Sequence, residues 1–228
     1  MLTINPRRDT LPSEIIQAYQ NLSPGTLGHI LETGMESYIQ AVWKPIKLVG
    51  PAVTVQTHPQ MTSAIAAAME IAEPGDVLVI NRADDTRHAY AGEISCLRYM
   101  ERQIAGLVTD GPVVDQAALS RMKFPVFSRG SVAMTGKAGG FSNEWGGVNV
   151  PVTVGGVTVH PGDMIFADDD GVLVASPDEA KIHLAFVQEK EEWEAWVRGK
   201  VDQGWTISQC YAERSDPMTS VSIDSVKR

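Results

Sequence analysis

Two short stretches of the chain combine groups that could bind a small anion together with a metal ion. Gly92, Glu93, Ile94 and Ser95 open a predicted helix, where unpaired backbone N–H groups and the positive end of the helix dipole attract a carboxylate. Asp115 follows the next apolar segment, and its carboxylate suits a hard cation such as Mg²⁺, with water filling the other positions. Together the two stretches predict a site that binds a small oxo acid through its carboxylate and its metal-bound carbonyl.

The same two stretches also have a purely structural interpretation. Gly92 is then simply the residue before a helix, and Asp115 caps the helix predicted over DQAALSRM (115–122). Asp is one of the preferred N-cap residues. Spacing alone therefore favours this interpretation over a metal site.

Alternating helices and strands position both stretches. The apolar segments VLVI (77–80) and GLV (106–108) predict short strands buried on both faces, with a helix between them from about Glu93 to Gln103. A helix over DQAALSRM and a strand over FPVFSRG (124–130) follow. This alternation predicts an α/β fold with a parallel or mixed sheet covered by helices. Because ligands of such sheets bind at the carboxyl ends of the strands, Gly92 and Asp115 are expected at one edge.

The N-terminal part of the chain predicts further elements of the same fold. Residues 11–21 have helical apolar spacing, and a second helix is predicted from Leu27 to about Gly34. Residues 46–57 predict one or two strands, broken at Gly50 and Pro51. An Ala- and Met-rich helix is predicted over residues 61–72.

The C-terminal part changes character from Ser131 onward. Residues 131–176 are rich in Gly and β-branched residues and predict several short strands. Tight turns are expected at the dipeptide Gly155 and Gly156, at 161–163 and at 168–171. Ser176 as N-cap, Pro177 in the first turn and Glu179 in a capping box predict a long helix after them.

The composition limits the class of protein. With 19 Lys and Arg against 28 Asp and Glu, the 228 residues carry a net charge of -9, which disfavours nucleic-acid binding. No segment approaches the roughly 18 apolar residues of a membrane helix, and the N-terminus lacks a signal-peptide pattern. We therefore expect a cytoplasmic protein with no membrane partner. The length predicts one domain over residues 1–216, followed by a flexible polar tail over residues 217–228.

The order of several motifs resembles one known family. The segments GPAVTV (50–55), EPGDVLVI (73–80), IAGLVTDGPVVD (104–115), NVPVTVGGVTVHPGD (149–163) and ADDDGVLVAS (167–176) are similar to those of the RraA-like family. That family includes the regulator of ribonuclease activity A and the class II 4-hydroxy-4-methyl-2-oxoglutarate aldolases, which also decarboxylate oxaloacetate. The resemblance implies a single α/β domain with a central β-sheet core flanked by helices, similar to the swivelling phosphohistidine domain. It also implies a homotrimer or homohexamer with sites between subunits.

The resemblance assigns roles to the residues of the two stretches. Gly92, Glu93, Ile94 and Ser95 match the stretch with which the aldolases of the family bind pyruvate. Those enzymes then carry an Arg-Asp pair, which falls here on Val114 and Asp115. The family Arg binds the substrate, and the Asp holds Mg²⁺ or Mn²⁺. The resemblance therefore implies that Asp115 is the metal ligand and that Val114 lines the substrate site in place of the Arg.

The substitution of Val114 for Arg changes the expected chemistry. Losing a charge-assisted, bidentate contact to a buried carboxylate costs about 2–5 kcal/mol. Either another cation enters the site, or the substrate lacks that carboxylate, or the protein does not catalyse the family reaction. Arg87, in the loop before Gly92, is our first hypothesis for a replacement cation with a catalytic role. The other cations in reach are His88, Arg98 and Arg129.

For Arg87 the structural alternative is a solvated loop charge beside Asp84 and Asp85, since charges in loops are usually exposed. Because most charged residues lie at the surface, this alternative is favoured for Arg87.

The predicted function is a divalent-metal-dependent carbon–carbon lyase. It would cleave by a retro-aldol reaction, or decarboxylate, a small 2-oxo acid such as 4-hydroxy-4-methyl-2-oxoglutarate or oxaloacetate. One alternative is a different oxo-acid isomerase, hydratase or lyase on the same scaffold, and another is a non-catalytic regulatory binding protein. Gly92 and Asp115 favour an enzyme, whereas Val114, and Ala118 where the family prefers an acid, favour the alternatives.

Overall fold

The computed structural model describes residues 1–8, 10–58, 61–135 and 145–220. Its α-helices are α1 (Ser13–Tyr19), α2 (Pro24–Leu27), α3 (Ser63–Ile71), α4 (Glu93–Glu101), α5 (Gln116–Met122), α6 (Pro177–Asp202) and α7 (Ile207–Glu213). Its strands are β1 (Leu2–Ile4), β2 (Gln40–Ala41), β3 (Lys47–Gln56), β4 (Val77–Asn81), β5 (Gly106–Thr109), β6 (Val126–Ser128), β7 (Gly146–Val148), β8 (Val152–Val154), β9 (Val157–Val159), β10 (Met164–Asp168) and β11 (Gly171–Ala175). Residues 136–144, inside the predicted C-terminal strand region, lie outside the described residues.

A mixed sheet forms the centre of the described structure. Its strands follow the order β1-β7-β3-β4-β5-β6-β2, and the β10–β11 hairpin joins it through β3. Strands β3, β4, β5 and β6 run parallel to one another, and α3, α4 and α5 connect them in turn. The predicted α/β fold, with a central sheet flanked by helices, is confirmed.

The apolar segment VLVI explains why β4 lies in the middle of the sheet. Leu78 and Ile80 pack against α3 and α4 on one face. Val77 and Val79 pack on the other face, against the β8–β9 hairpin and β10. All four side chains are fully buried, as expected for a parallel strand covered on both faces.

The predicted break in residues 46–57 is wrong, because β3 is one continuous strand over Lys47–Gln56. Its first half pairs antiparallel with β10, and its second half pairs parallel with β4. Gly50 and Pro51 therefore mark the position where the strand changes partner. A Cβ atom at Gly50 would overlap the carbonyl oxygen of Gly75, so a glycine is required there for close backbone approach.

The helix predicted from Leu27 to Gly34 is also misplaced. The short helix α2 spans Pro24–Leu27 and begins at the N-cap Ser23, whose side chain accepts a hydrogen bond from the Gly25 backbone N–H. Gly34, by contrast, forms a β-bridge with Leu173. Pairing with the β10–β11 hairpin thus overrides the local helical pattern.

The predicted capping box, the long helix after it and two of the predicted turns are confirmed. Ser176 and Glu179 form the predicted capping box, and α6 extends over Pro177–Asp202. The turns at Gly155–Gly156 and Asp169–Asp170 join antiparallel strands. The predicted tail over residues 217–228 includes a 3-10 helix, Pro217–Ser220, and residues 221–228 lie outside the described residues. Among the helices described, none is long and apolar enough to cross a membrane.

Candidate active site

Two loops at the carboxyl ends of β4 and β5 form the candidate site. The backbone N–H of Tyr90 donates to the carbonyl of Pro112 at 3.3 Å, and the N–H of Val114 donates to the carbonyl of Ala91 at 2.9 Å. These bonds join the loop that enters α4 to the loop that enters α5. The sequence-predicted neighbours Gly92 and Asp115 are therefore brought together at one edge of the sheet.

The second loop is also held on its far side. The N–H of Val113 donates to the carbonyl of Gly130 at 2.9 Å, and the N–H of Val132 donates to the carbonyl of Val113 at 2.9 Å. Val113 is completely buried. Backbone hydrogen bonds on both sides thus fix this loop, and with it Asp115, at the edge of the sheet.

Asp115 does not act as the side-chain cap of its own helix. Its backbone is left-handed, with φ 59° and ψ 35°, and its side chain makes no capping hydrogen bond to α5. The carboxylate Oδ2 instead accepts a hydrogen bond from the Glu93 backbone N–H at 3.1 Å, at the start of α4. A non-glycine residue in this conformation is uncommon outside turns and functional sites, and the structural interpretation of Asp115 as a cap of α5 is wrong for its side chain.

Gly92 makes this approach of Asp115 sterically feasible. A Cβ atom at Gly92 would lie 2.6 Å from Asp115 Oδ2 and 2.7 Å from Val114 Cγ1. Both distances are far below van der Waals contact. Any larger residue at position 92 would therefore push the Asp115 carboxylate away from the N-terminus of α4.

Ile94 and Ser95, the remaining residues of the first stretch, lie at the N-terminus of α4 next to Asp115 and Glu93. Ile94 and Ser95 lie in the first turn of α4, where N–H groups lack a preceding helical carbonyl. The Ile94 side chain is exposed and that of Ser95 is half-buried. The Glu93 N–H is already bonded to Asp115, so the N–H groups of Ile94 and Ser95 are the ones placed to receive a ligand anion.

Val114 places an apolar surface at the position of the family Arg. Its side chain is half-buried and its Cγ1 faces Gly92. Val114 itself therefore supplies no positive charge at this point of the site, and a cation there would have to come from another residue.

The hydrogen bond described for Arg87 is to Asp85 and not to Asp115. Arg87 is exposed, and its backbone N–H donates to Asp85 Oδ1 at 3.0 Å. The His88 ring lies 3.1 Å from Asp85 Oδ2. Burial raises the pKa of Asp85, but the hydrogen bonds from Arg87 and His88 outweigh it and lower that pKa overall. This loop is thus organised around Asp85.

The other two cations proposed from the sequence, Arg98 and Arg129, have different described neighbours. The Arg129 guanidinium stacks 4.4 Å from the ring centre of Tyr38 and is exposed. Arg98, on α4, lines a cavity of about 270 Å³ between α3 and α4. The described lining residues of that cavity are Thr62, Ile65, Ala66, Met69, Tyr90, Ser95, Arg98 and Tyr99.

Arg82 and Asp110 form a buried polar group that sequence analysis missed. Arg82 is only 1% exposed and Asp110 only 4%. Asp110 accepts hydrogen bonds from the Arg82 backbone N–H at 2.6 Å and from Asn81 Nδ2 at 2.9 Å. The Arg82 guanidinium lies 5.0 Å from the ring centre of Tyr90. The sequence signal for this group was a charged residue, Arg82, directly after the apolar strand β4. From that position a side chain can fold beneath the loops that follow.

Burial also alters the acidity of Asp110. Removal from water raises its pKa to about 6, although the hydrogen bond from the Arg82 N–H acts in the opposite direction. A carboxyl group with a pKa near neutrality at the end of a sheet strand is a feature of many functional sites. Asp110 therefore belongs to the polar framework beneath the candidate site.

Asp115 fits a divalent cation held by a single protein carboxylate. Within residues 1–8, 10–58, 61–135 and 145–220, no group of three or more His, Cys, Asp or Glu residues could hold a metal. Of the two carboxylate oxygens of Asp115, only Oδ2 accepts a hydrogen bond from the described residues, which leaves Oδ1 for a cation. Mg²⁺ usually keeps several waters and is bound through one or two carboxylates plus substrate oxygens. The donor set matches that mode.

Comparisons with known proteins agree with this architecture. A family model described as RraA-like: Aldolase/RraA matches residues 22–174. A protein of Halalkalibacterium halodurans with the name "Putative 4-hydroxy-4-methyl-2-oxoglutarate aldolase" is 36% identical over 159 residues, which cover 70% of this chain and 74% of the relative. A protein of the same name from Burkholderia multivorans is 32% identical over 165 residues, which cover 72% of this chain and 94% of the relative.

Solved structures share the fold. A protein from Pseudomonas syringae pv. tomato superposes with a TM-score of 0.76 at 22% identity, covering 89% of this chain and 99% of the other. Streptomyces coelicolor RraAS2, described as an unusual member of the RNase ES inhibitor RraA protein family, superposes with a TM-score of 0.73 at 27% identity. It covers 84% of this chain and 98% of its own. The chain belongs to the RraA-like family.

Proposed function

We propose that the protein is a carbon–carbon lyase that uses Mg²⁺ or Mn²⁺ to cleave or decarboxylate a small 2-oxo acid. Substrates of this class include 4-hydroxy-4-methyl-2-oxoglutarate and oxaloacetate. The observation that carries the proposal is the placement of the Asp115 carboxylate against the N-terminus of α4 in a left-handed backbone conformation. The names of the relatives from Halalkalibacterium halodurans and Burkholderia multivorans support an aldolase.

Asp115 would hold the divalent cation through Oδ1. When bound, such a cation supplies Lewis-acid polarisation of the 2-oxo group and stabilises the negative charge that develops as the carbon–carbon bond breaks. The hydrogen bond from the Glu93 N–H orients the carboxylate. Gly92 allows the carboxylate to approach the N-terminus of α4 closely.

The backbone N–H groups of Ile94 and Ser95 would bind the substrate. They lie at the positive end of the α4 dipole and donate to an anion without moving. Val114 would contact an apolar part of the substrate, because its half-buried side chain faces the same glycine. A preorganised set of donors of this kind lowers the barrier for a step that concentrates negative charge.

The assembly belongs to the proposal as well. We propose a homotrimer or homohexamer with sites between subunits. Light scattering on the purified protein tests this directly, since a trimer of 24.7 kDa chains differs from a monomer by a factor of three in mass.

One observation favours a second candidate function. Val114 removes the side chain with which related aldolases bind their substrate, and the structural neighbour RraAS2 is described as belonging to a family of RNase ES inhibitors. A non-catalytic regulatory protein that acts through its surface would tolerate Val114. Metal-dependent ligand binding separates the two functions.

Isothermal titration with oxalate tests the proposal. Oxalate resembles the enolate of pyruvate and chelates a divalent cation through two oxygens. We expect oxalate to bind in the presence of Mg²⁺ and not in its absence, and we expect the Asp115→Asn variant to lose that binding. Asp202→Asn, which removes an exposed carboxylate at the end of α6, is the matched control and should bind as the unmodified protein does. Absence of any Mg²⁺-dependent binding would overturn the proposal.

A further inference from the structure

The cavity between α3 and α4 has an apolar wall formed by one helix. Ile65, Ala66 and Met69 lie on α3 and line it along about one turn and a half. Ile65 is buried at the bottom, whereas Met69 is half-buried. None of the described lining residues is acidic. This wall suits an aliphatic group of a ligand.

The opposite wall carries the polar groups of the cavity. Ser95 and Arg98 lie three residues apart on α4, so both side chains project from the same helix face. Tyr90, near the end of the loop that enters α4, also lines the cavity. The hydroxyl of Tyr99 donates to the hydroxyl of Tyr90 at 3.3 Å, and the Tyr90 proton therefore remains available for a ligand. A guanidinium and two hydroxyls on one wall form a set of donors suited to a carboxylate.

Arg98 lines this wall, and its positive charge opposes the effect of burial on the pKa of both tyrosines. Burial raises the pKa of Tyr90 to about 12, and the positive charges of Arg82 and Arg98 act in the opposite direction. Burial likewise raises the pKa of Tyr99, again against the charge of Arg98. Both hydroxyls thus stay protonated near neutral pH and can donate hydrogen bonds.

The first turn of α4 links this cavity to the candidate metal site. Ser95 lines the cavity, while Glu93, two residues earlier, donates its backbone N–H to Asp115. A ligand that lies across this turn would reach both places. The cavity of about 270 Å³ has room for about nine water molecules at about 30 Å³ each, or for a short branched chain.

We propose that the α3–α4 cavity binds a carboxylate of the substrate together with an adjoining aliphatic group, and that Arg98 supplies the cation that Val114 cannot. The site would select small branched carboxylates. Arg98 binds the carboxylate, Ser95 and Tyr90 donate hydrogen bonds to it, and the α3 wall covers the aliphatic group. The link to catalysis rests on the proposed function, whereas binding of the carboxylate does not.

Methyl NMR of the full-length protein tests this site without any metal. The probe is isovalerate (3-methylbutanoate), added in the presence of EDTA to protein labelled with ¹³C at the methionine methyl groups. Met69 lines the cavity and its signal should shift with saturable dependence on isovalerate. Met100, whose side chain is 42% exposed elsewhere on α4, should not shift. The uncharged amide isovaleramide should shift Met69 at least about 10-fold less effectively, because the charge-assisted contact is lost.

Three variants complete the test. Arg98→Gln should weaken isovalerate binding at least about 10-fold, and Arg98→Lys should restore part of the loss because it keeps the charge. Arg121→Gln removes an exposed Arg from α5 and should leave binding unchanged. Absence of a Met69 shift, or equal binding by the unmodified protein and Arg98→Gln, would overturn the inference. Asp115→Asn should bind isovalerate normally while losing Mg²⁺-dependent oxalate binding, so failure of either proposal is seen separately.

Discussion

The carboxylate of Asp115 binds the backbone N–H of Glu93 at 3.1 Å, across 22 positions of the chain. The residue that begins α5 in the sequence thus stabilises the N-terminus of α4 in the fold. A carboxylate at this position interacts favourably with the helix dipole. The candidate metal ligand and the first turn of α4, which carries the candidate anion-binding amides, are consequently one structural unit joined by this hydrogen bond.

Replacing Gly92 by Ala should disconnect this unit. The new methyl group would collide with Asp115 Oδ2 and Val114 Cγ1, and the hydrogen bond to Glu93 would be lost. We expect a loss of about 1–2 kcal/mol in the free energy of unfolding and a larger relative loss in Mg²⁺-dependent oxalate affinity. Urea unfolding and isothermal titration measure the two effects.

Gly199→Ala is the control for that substitution. Gly199 lies in α6 with nothing within 4 Å of an added Cβ, so Ala there should stabilise the helix by about 0.5–1 kcal/mol and leave oxalate binding alone. Normal oxalate binding by Gly92→Ala would show that the spacing between Gly92 and Asp115 does not matter.

Introducing the family side chain with Val114→Arg should raise activity on dicarboxylic 2-oxo acids. A guanidinium at this half-buried position beside Gly92 would add a charge-assisted contact to the substrate carboxylate. We expect kcat/KM for oxaloacetate to rise at least about 10-fold. Val114→Met, which is long but uncharged, is the comparison; an equal effect of Met and Arg would argue against a role for charge here.

The acidity of Asp110 should appear in the pH dependence of stability. Its pKa is about 6 in the fold against 3.8 for the ordinary group, so the folded state binds more protons than the unfolded state between these values. The contribution of this group is therefore present at low pH and is lost as pH rises through about 6. The total change is at most about 3 kcal/mol.

Comparison with Asp110→Asn isolates that contribution from other carboxyl groups. The unfolding free energy of the unmodified protein minus that of the variant should decrease between pH 4 and pH 7. Urea unfolding at several pH values provides the numbers, and a constant difference across this range would show that Asp110 titrates normally.

The C-terminal segment should depend on one buried ion pair. Lys190 Nζ lies 3.0 Å and 2.8 Å from the two carboxylate oxygens of Asp216, and the residues are 5% and 8% exposed. Removing one partner leaves a buried charge, so Lys190→Met should destabilise the protein by about 3–5 kcal/mol. Lys181→Met, at an exposed pair on the same helix, should change stability by less than about 1 kcal/mol. Similar thermal midpoints for both variants would contradict this account.

The sequence predicted the parts of the fold that local patterns determine. The apolar segment VLVI must be buried on both faces, which places β4 inside a parallel sheet. Ser176 and Glu179 satisfy the first N–H groups of α6 within a few residues of one another. Long-range pairing decided the rest: Gly34 joins Leu173 in a β-bridge, and β3 continues through Gly50 because two different strands pair with it.

The candidate site was predictable in its location but not in its contacts. Strand-end geometry placed Gly92 and Asp115 at one edge. The direction of the Asp115 side chain depends on its left-handed backbone and on hydrogen bonds from neighbouring loops, which no local pattern encodes. Arg82 was missed because a charged residue after a strand is usually exposed, whereas here its stem packs beneath Gly111.

Turnover of oxaloacetate and of 4-hydroxy-2-oxo acids by the unmodified protein and by Asp115→Asn tests the central claim most directly. With Mg²⁺ or Mn²⁺ added, the unmodified protein should release pyruvate or its analogue, chelation by EDTA should stop the reaction, and Asp115→Asn should be at least about 100-fold slower. Equal turnover by the two proteins, or turnover that EDTA does not affect, would show that Asp115 is structural and would contradict a metal-dependent lyase at this site.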